Sequence, residues 1–341
     1  MIELKLQTVM NSKNALGQFY TTNSDYILEG FDIQTYNEII EPFVGQGDIL
    51  NWIKKNNEKY VETYDIDPKI KCDEVRDSLL KPPIYKDKFV ITNPPYLSKN
   101  KNKNKTIYEK YKTDDLYKSA IISFIEGHVS GGILIIPVNF LCGEDSKIRN
   151  TFFEKYRIIK CRIFEEQVFD DTSYSVMVLQ FVKDILENEK KFEIEIYPSK
   201  KTISVKVEKK YDWRVGQKFL VSDDKKYNIG RLTVGQKPST NLKLFAIDSG
   251  GMDGRIRIEI TEDHFYGKES DRTLATLTTN FPIENEYELA KKFNEKLEEL
   301  REKYNSLFLS TYRESTKNYM RKRISFKQAY SLIENILNEK F

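Results

Sequence analysis

Between positions 37 and 181 short apolar runs alternate with stretches of helical periodicity, the pattern of an α/β domain built on a mostly parallel sheet. The runs at 38–43, 61–66, 88–92, 132–138, 157–164 and 175–182 are expected strands. Asp114 and Asp115 are expected to cap a helix, because Leu116, Ala120, Ile121, Phe124 and Ile125 follow at helical spacing as a core-facing stripe. A charged stretch at 186–191 (LENEKK) ends this pattern, and the chain then turns to short strand-like runs (EIEIYP, TISVKVE, IRIEI) and glycine-rich turns. Two domains are therefore expected, at 1–188 and 189–341, the second of mixed α+β character. Its helices have capping boxes. Asn285 with Glu288 precedes Leu289, Phe293, Leu297, Leu300, Tyr304 and Leu307, and Ser325 with Gln328 precedes Leu332, Ile333, Ile336 and Leu337.

A length of 341 residues exceeds what one core usually organises, which agrees with two domains. With 39% hydrophobic and 31% charged residues the chain is neither a membrane protein nor largely disordered. The N-terminal stretch has no long apolar core and no small-residue cleavage site. Cys72, Cys142 and Cys161, odd in number and widely spaced, make neither a disulfide framework nor a metal clip, so a reducing compartment, cytoplasm or nucleus, is expected, with the cytoplasm preferred. His128 and His264 lack ligand spacing, and no metal site is expected. The net charge is only +3, yet 99–112 sets six lysines against Glu109, and 313–327 sets six cations against Glu314. Each patch is read either as solvated surface or as a contact for a polyanion.

Asn93-Pro94-Pro95-Tyr96 follows the apolar run Phe89-Val90-Ile91, which puts it at the C-terminal edge of a strand, where open α/β sheets bind ligands. The prolines fix φ, so the Asn93 side-chain oxygen and the Pro94 carbonyl can be held as two converging acceptors. Two acceptors suit an NH2 group. Accepting both hydrogens of an exocyclic base amine would shift electron density onto its nitrogen as it attacks a methyl donor. Tyr96 offers an aromatic face for a base taken out of its stack. A proline-rich turn capping a strand is the plainer alternative.

The stretch VITNPPY resembles the catalytic motif of amino-group DNA methyltransferases, and further motifs in the order of the gamma class of N6-adenine DNA methyltransferases surround it. The family implies a Rossmann-like class I S-adenosylmethionine-dependent methyltransferase fold, with a mostly parallel seven-stranded sheet and a C-terminal target-recognition domain. Residues 41–48 (EPFVGQGD) are similar to its glycine loop, which implies cofactor contact at Glu41, Pro42, Gly45 and Gly47. Asp65 and Ile66 match the end of the second strand, where an acidic residue binds the ribose hydroxyls; Asp67 is the alternative to Asp65. Asp77 resembles the acceptor for the cofactor's adenine amine. Residues 17–21, with Tyr20 and Thr21, are similar to the motif that closes over the methionine end, and Asn93 borders the same pocket. Asp115-Leu116-Tyr117 matches a later element, and Phe169 is implied as the aromatic opposite Tyr96 on the flipped base.

Residues 229–245, with Arg231 and Lys237, are similar to a segment of the recognition domains of the class. Arg255 and Arg257 beside a glycine-rich loop could reach guanine edges, or be solvated charges of a hairpin. Lys99, Lys101, Lys103 and Lys105 read as a phosphate-grasping flap that orders on DNA. The expected activity is transfer of a methyl group from S-adenosyl-L-methionine to N6 of a flipped adenine in double-stranded DNA, without metal or covalent intermediate. Cytosine N4, RNA or a protein glutamine amide are alternative acceptors, and a non-catalytic DNA-recognition protein is the alternative of another class. A separate cognate restriction endonuclease remains open as a partner, as does the oligomeric state, and no membrane is expected.

Overall fold

The computed structural model describes residues 21–169, 175–184, 187–222, 226–248, 255–312 and 321–338. Its chain divides into two units, Met1–Phe140 with Asp145–Lys206, and Leu141–Glu144 with Val207–Phe341. The expected boundary at 188/189 thus differs from the observed division at 206/207.

In the first unit, apolar runs become strands covered on both faces. β1 (Ile39–Glu41), β4 (Phe89–Thr92) and β5 (Gly131–Pro137) are buried at every residue. With β2 (Val61–Asp65), β3 (Glu74–Val75), β6 (Tyr156–Phe164), β7 (Val176–Lys183), β8 (Glu189–Tyr197) and β9 (Lys201–Glu208) they form one sheet, in the order β3-β2-β1-β4-β5-β7-β6-β8-β9. Strands β1 to β5 pair in parallel, β7 runs antiparallel to both β5 and β6, and β8 is parallel to β6. β5 opens on two glycines because a Cβ at Gly132 would stand 2.4 Å from the Val90 carbonyl oxygen. The order reverses between β1 and β4, and ligands bind at such a switch point, beyond the carboxyl ends of the strands.

The expected α/β sheet is present and mostly parallel, with nine strands instead of seven. The two additions explain the displaced boundary. Along β8, Phe192, Ile194 and Ile196 are buried while Glu189, Lys191 and Glu193 are exposed, so what reads as a charged linker is one face of a strand. Around the sheet lie α1 (Asp48–Asn56), α2 (Thr106–Tyr111), α3 (Leu116–Glu126) and α4 (Lys147–Phe153). The Asp115 cap is as expected, its side chain accepting from the Tyr117 amide. α3 is an interior helix, buried even at Ser119 and Ser123.

The second unit holds an antiparallel sheet, ordered β10 (Gly230–Arg231), β13 (Leu274–Thr278), β11 (Leu242–Phe245), β12 (Arg257–Ile260), and a β14 (Ser310–Tyr312)–β15 (Arg321–Arg323) ribbon. Helices α5 (Glu286–Tyr304) and α6 (Phe326–Asn338) match the two capping boxes. The Asn294 amide of α5 closes β12, accepting from the Ile258 amide at 2.9 Å and donating to its carbonyl at 3.0 Å. Among the described residues no helix is long and apolar enough to cross a membrane.

Arg162 is the polar anchor of the first unit. Only 2% exposed, it donates through Nε and Nη2 to Glu195 Oε2 at 2.9 and 2.6 Å, bonds the Ile27 carbonyl and lies 4.1 Å over the Tyr197 ring. It thereby joins β6, β8 and the segment leading from Thr21. Replacing Arg162 with Met keeps the stem but leaves Glu195 without its fork, at an expected cost of about 2–4 kcal/mol. Urea unfolding reads this as a lowered midpoint at constant slope, and an unchanged midpoint would remove Arg162 from that role.

Candidate functional site

The site grows from the carboxyl ends of β1, β2 and β4. Glu41 ends β1 with no solvent exposure, its Oε1 accepting from Thr92 Oγ at 2.5 Å and from the Phe43 amide at 3.2 Å. Burial holds this carboxyl well above the usual carboxylate range, against the two hydrogen bonds that favour the ionised form. Among the described residues Glu41 Oε2 has no hydrogen-bond partner. A buried carboxyl oxygen left empty costs stability, so it is the first mark of a ligand position.

Beyond Glu41 the chain turns through buried Pro42 to Gly45 and Gly47 and enters α1. Gly47 caps the helix at φ 85°, and a Cβ built there would meet nothing within 4 Å, so the loop faces open space. Asp65, at the end of β2 and 4% exposed, holds the loop: its Oδ2 accepts from the Gly45 amide and its Oδ1 from the Asp67 amide, both at 2.8 Å. Asp67 accepts instead from the Lys69 amide. Ile66, next in line, is 50% exposed, an apolar surface beside these carboxylates. Asp77 accepts through Oδ1 from the Leu79 and Leu80 amides at 3.0 Å each, a capped turn.

Asn93 directly follows Thr92. Its Nδ2 donates to Thr21 Oγ1 at 3.0 Å, and its Oδ1 accepts from the Tyr96 hydroxyl, which also lies 2.6 Å from the Ile135 carbonyl. Among the described residues no hydrogen bond reaches the Pro94 carbonyl. Tyr96 is 5% exposed, packed edge-on to Tyr117, and burial pushes its phenol well above the ordinary value. Phe169 is 1% exposed. Neither ring offers an open face in this conformation, because both contribute to the core.

The lysine-rich loop is tied down. Asp115 accepts from the Leu97 amide, the Asp114 carbonyl from the Lys99 amide, and Tyr108 donates to the Leu97 carbonyl. Lys105 donates to the carbonyls of Lys99 and Asn102, so it fastens its own loop, while Lys101 and Lys103 are exposed. In the second unit Lys237 is exposed, and Arg231 bonds the Glu269 and Asp271 carbonyls. Arg255 pairs with Glu298 and Arg257 with Glu259, each arginine being more engaged than a free groove reader. Tyr20 and the glycines at 250, 251 and 254 lie outside the described residues.

Thr92, Tyr108 and the loop-holding part of Asp115 are not legible in the sequence pattern, because each acts through a partner distant along the chain. Only Asp115 carried a signal, as a helix cap.

No protein-family model matches the chain, and no curated protein matches it. Among solved structures it is similar to the methyltransferase subunit of a type I restriction-modification system from Streptococcus thermophilus, at 14% identity over 57% of this chain and 50% of that one, with a TM-score of 0.40. It is likewise similar to the type I restriction enzyme EcoKI M protein (13%, 55% and 50%, TM-score 0.41) and to the type IIG restriction endonuclease BpuSI (14%, 74% and 38%, TM-score 0.41). The chain spans about half the length of the type I subunits it matches.

Burial, with Asp114 adding, raises Asp115 to about 6 against the Tyr117 and Leu97 amides and Lys118. A carboxyl raised on folding binds its proton more tightly when folded, so this contribution to stability grows as pH falls from 6 toward 4 and is absent above 6. Asp115→Asn keeps a capping oxygen without the charge. Relative to wild type it is expected to gain roughly 1–3 kcal/mol between pH 4 and pH 8. Denaturant midpoints at both pH values check this, and a pH-independent difference would contradict it.

Proposed function

We propose that this protein is an S-adenosyl-L-methionine-dependent DNA methyltransferase that modifies N6 of an adenine flipped out of duplex DNA. The observation that carries this reading is Asn93-Pro94-Pro95-Tyr96 at the carboxyl end of β4, one residue beyond the Thr92 hydroxyl that holds Glu41. The amide is oriented by Thr21, and the Pro94 carbonyl is open to a second hydrogen.

The residues present fit the cofactor. The empty Glu41 Oε2 suits the ammonium of an amino-acid end, with Thr21 and Pro42 assigned to the same end and Tyr20 assigned there by motif alone. Gly45 and Gly47 leave room for close approach. Asp65 suits ribose hydroxyls, since each carboxylate oxygen has a second lone pair beyond its amide partner. Ile66 and Asp77 suit the flat face and amine of an adenine. When bound, the cofactor supplies an electrophilic methyl group on a sulfonium.

The chain's own part is to hold the acceptor nitrogen. Asn93 Oδ1 and the Pro94 carbonyl accept the two N6 hydrogens, which raises electron density on nitrogen as the N–CH3 bond forms; one of those hydrogens then leaves as a proton to solvent. Asn93 Oδ1 has two lone pairs, so it can accept an N6 hydrogen beside the Tyr96 hydroxyl or after that hydroxyl turns to the Ile135 carbonyl. Stacking by Tyr96 and Phe169 on the base would require both rings to leave the core positions they hold. The basic loop at 99–105, through Lys99, Lys101 and Lys103, and the second unit, through Arg231, Lys237, Arg255 and Arg257, are assigned to duplex DNA.

Methyl-labelled cofactor incubated with unmethylated duplex DNA is expected to place label in N6-methyladenine after digestion to nucleosides. Asn93→Ala is expected to lower turnover by roughly 100-fold or more with the cofactor dissociation constant nearly unchanged. Label in cytosine would change the base, label only in RNA or protein would change the substrate, and near-normal turnover of the variant would end the role of Asn93. Glu41→Gln keeps shape but cannot ionise to meet an ammonium, and calorimetry is expected to show cofactor binding weakened about tenfold, or ~1.4 kcal/mol. An unchanged constant would take Glu41 out of the pocket.

A further inference from the structure

The second unit contains a basic cavity of which the proposed function uses only Arg231. It encloses about 470 Å³, and Arg231, Arg272, Arg323 and Lys327 line it against a single carboxylate, Glu144. Arg231 on β10 donates to the carbonyls of Asp271 and Glu269 at 2.9 and 2.8 Å, and Arg272 donates to the same two at 3.3 and 2.8 Å. Both guanidiniums are thereby fixed beside one another by neutral oxygens, which orient the donors without cancelling the charge. Among the described residues Arg231, Arg272 and Lys327 form no ion pair. Phe326 and Tyr330, stacked at 6.1 Å on α6, form an aromatic wall, with the Arg231 guanidinium 5.5 Å over Phe326.

Clustered like charges repel, and three cations without an ion pair, Arg231, Arg272 and Lys327, around one lining carboxylate are a standing cost unless an anion joins them. Fixed guanidinium forks match the oxygens of a phosphate, and the adjoining rings suit the sugar or base attached to it. We propose that this cavity binds the phosphate of a nucleotide. Its source is either the DNA backbone or a free mononucleotide; the DNA source rests on the proposed methyltransferase reading, whereas the phosphate chemistry does not.

Arg272 and Lys327 are exposed, so Arg272→Gln/Lys327→Gln tests the cavity in the full chain with little demand on folding. Two binding readings are taken, neither requiring methyl transfer: the salt dependence of affinity for a labelled duplex, and thermal stabilisation by adenosine 5′-monophosphate at constant ionic strength. A salt slope lowered by about 1–2 in the variant, at roughly 0.9 per phosphate contact, supports a backbone phosphate. Stabilisation by the mononucleotide in wild type, lost in the variant with the DNA slope unchanged, supports a free nucleotide. Identical behaviour of both proteins in both readings overturns the proposal. Should the double variant melt early, Lys327→Gln alone is read by the same criteria. Absence of methylation with these effects intact would fault the enzymatic reading and leave this one standing.

Discussion

A carboxyl with no access to water sits at the end of β1, and the arrangement around it follows from that constraint. The Thr92 hydroxyl on the neighbouring parallel strand satisfies one oxygen of Glu41, and the turn amide of Phe43 shares it. The other oxygen has no partner among the described residues. Desolvating an acid that a leucine could replace at lower cost is tolerated only where the acid does something else, and strain of this kind concentrates at functional sites. The strand pairing that brings Thr92 to Glu41 also sets Asn93 one residue further along, at the switch point of the sheet. The register of β1 on β4 therefore couples the acidic group and the amide.

What was legible in the sequence was local. A strand followed by a proline-fixed amide, a glycine turn before a helix and capping boxes declare themselves within a few residues, and the sheet edge, α5 and α6 follow from them. What was not legible depends on partners far along the chain. Nothing in 186–191 (LENEKK) tells a solvated linker from the start of a strand, because charged residues serve either; only the pairing of β8 with β6 decides. Likewise, an arginine near a glycine-rich loop has the same composition whether it faces a groove or an adjacent glutamate. The ion pair of Arg255 is decided by Glu298, on α5.

The aromatic pair shows the same limit. Tyr96 and Phe169 are the right residue types at the right motif positions, and burial is a property of the surroundings. The consequence is chemical. In this conformation Tyr96 is less a platform than a second holder of Asn93: Thr21 takes the amide nitrogen's hydrogen and Tyr96 supplies one to its oxygen. An amide held from both ends cannot rotate between its oxygen and nitrogen, a choice that decides whether it accepts from a base amine or donates to it.

A phenol has one proton, and here it faces two acceptors, Asn93 Oδ1 and the Ile135 carbonyl. Because burial keeps that proton on the oxygen, the hydroxyl donates to one acceptor at a time. The Ile135 carbonyl therefore offers a place for the proton when Asn93 Oδ1 is claimed by another donor. Release of the amide then leaves no buried hydroxyl unsatisfied, and the exchange avoids the ~1–3 kcal/mol that an orphaned buried donor costs. The acceptor at the centre of the site is thus occupied at rest and can be vacated at little cost, an arrangement that a phenylalanine at position 96 could not provide.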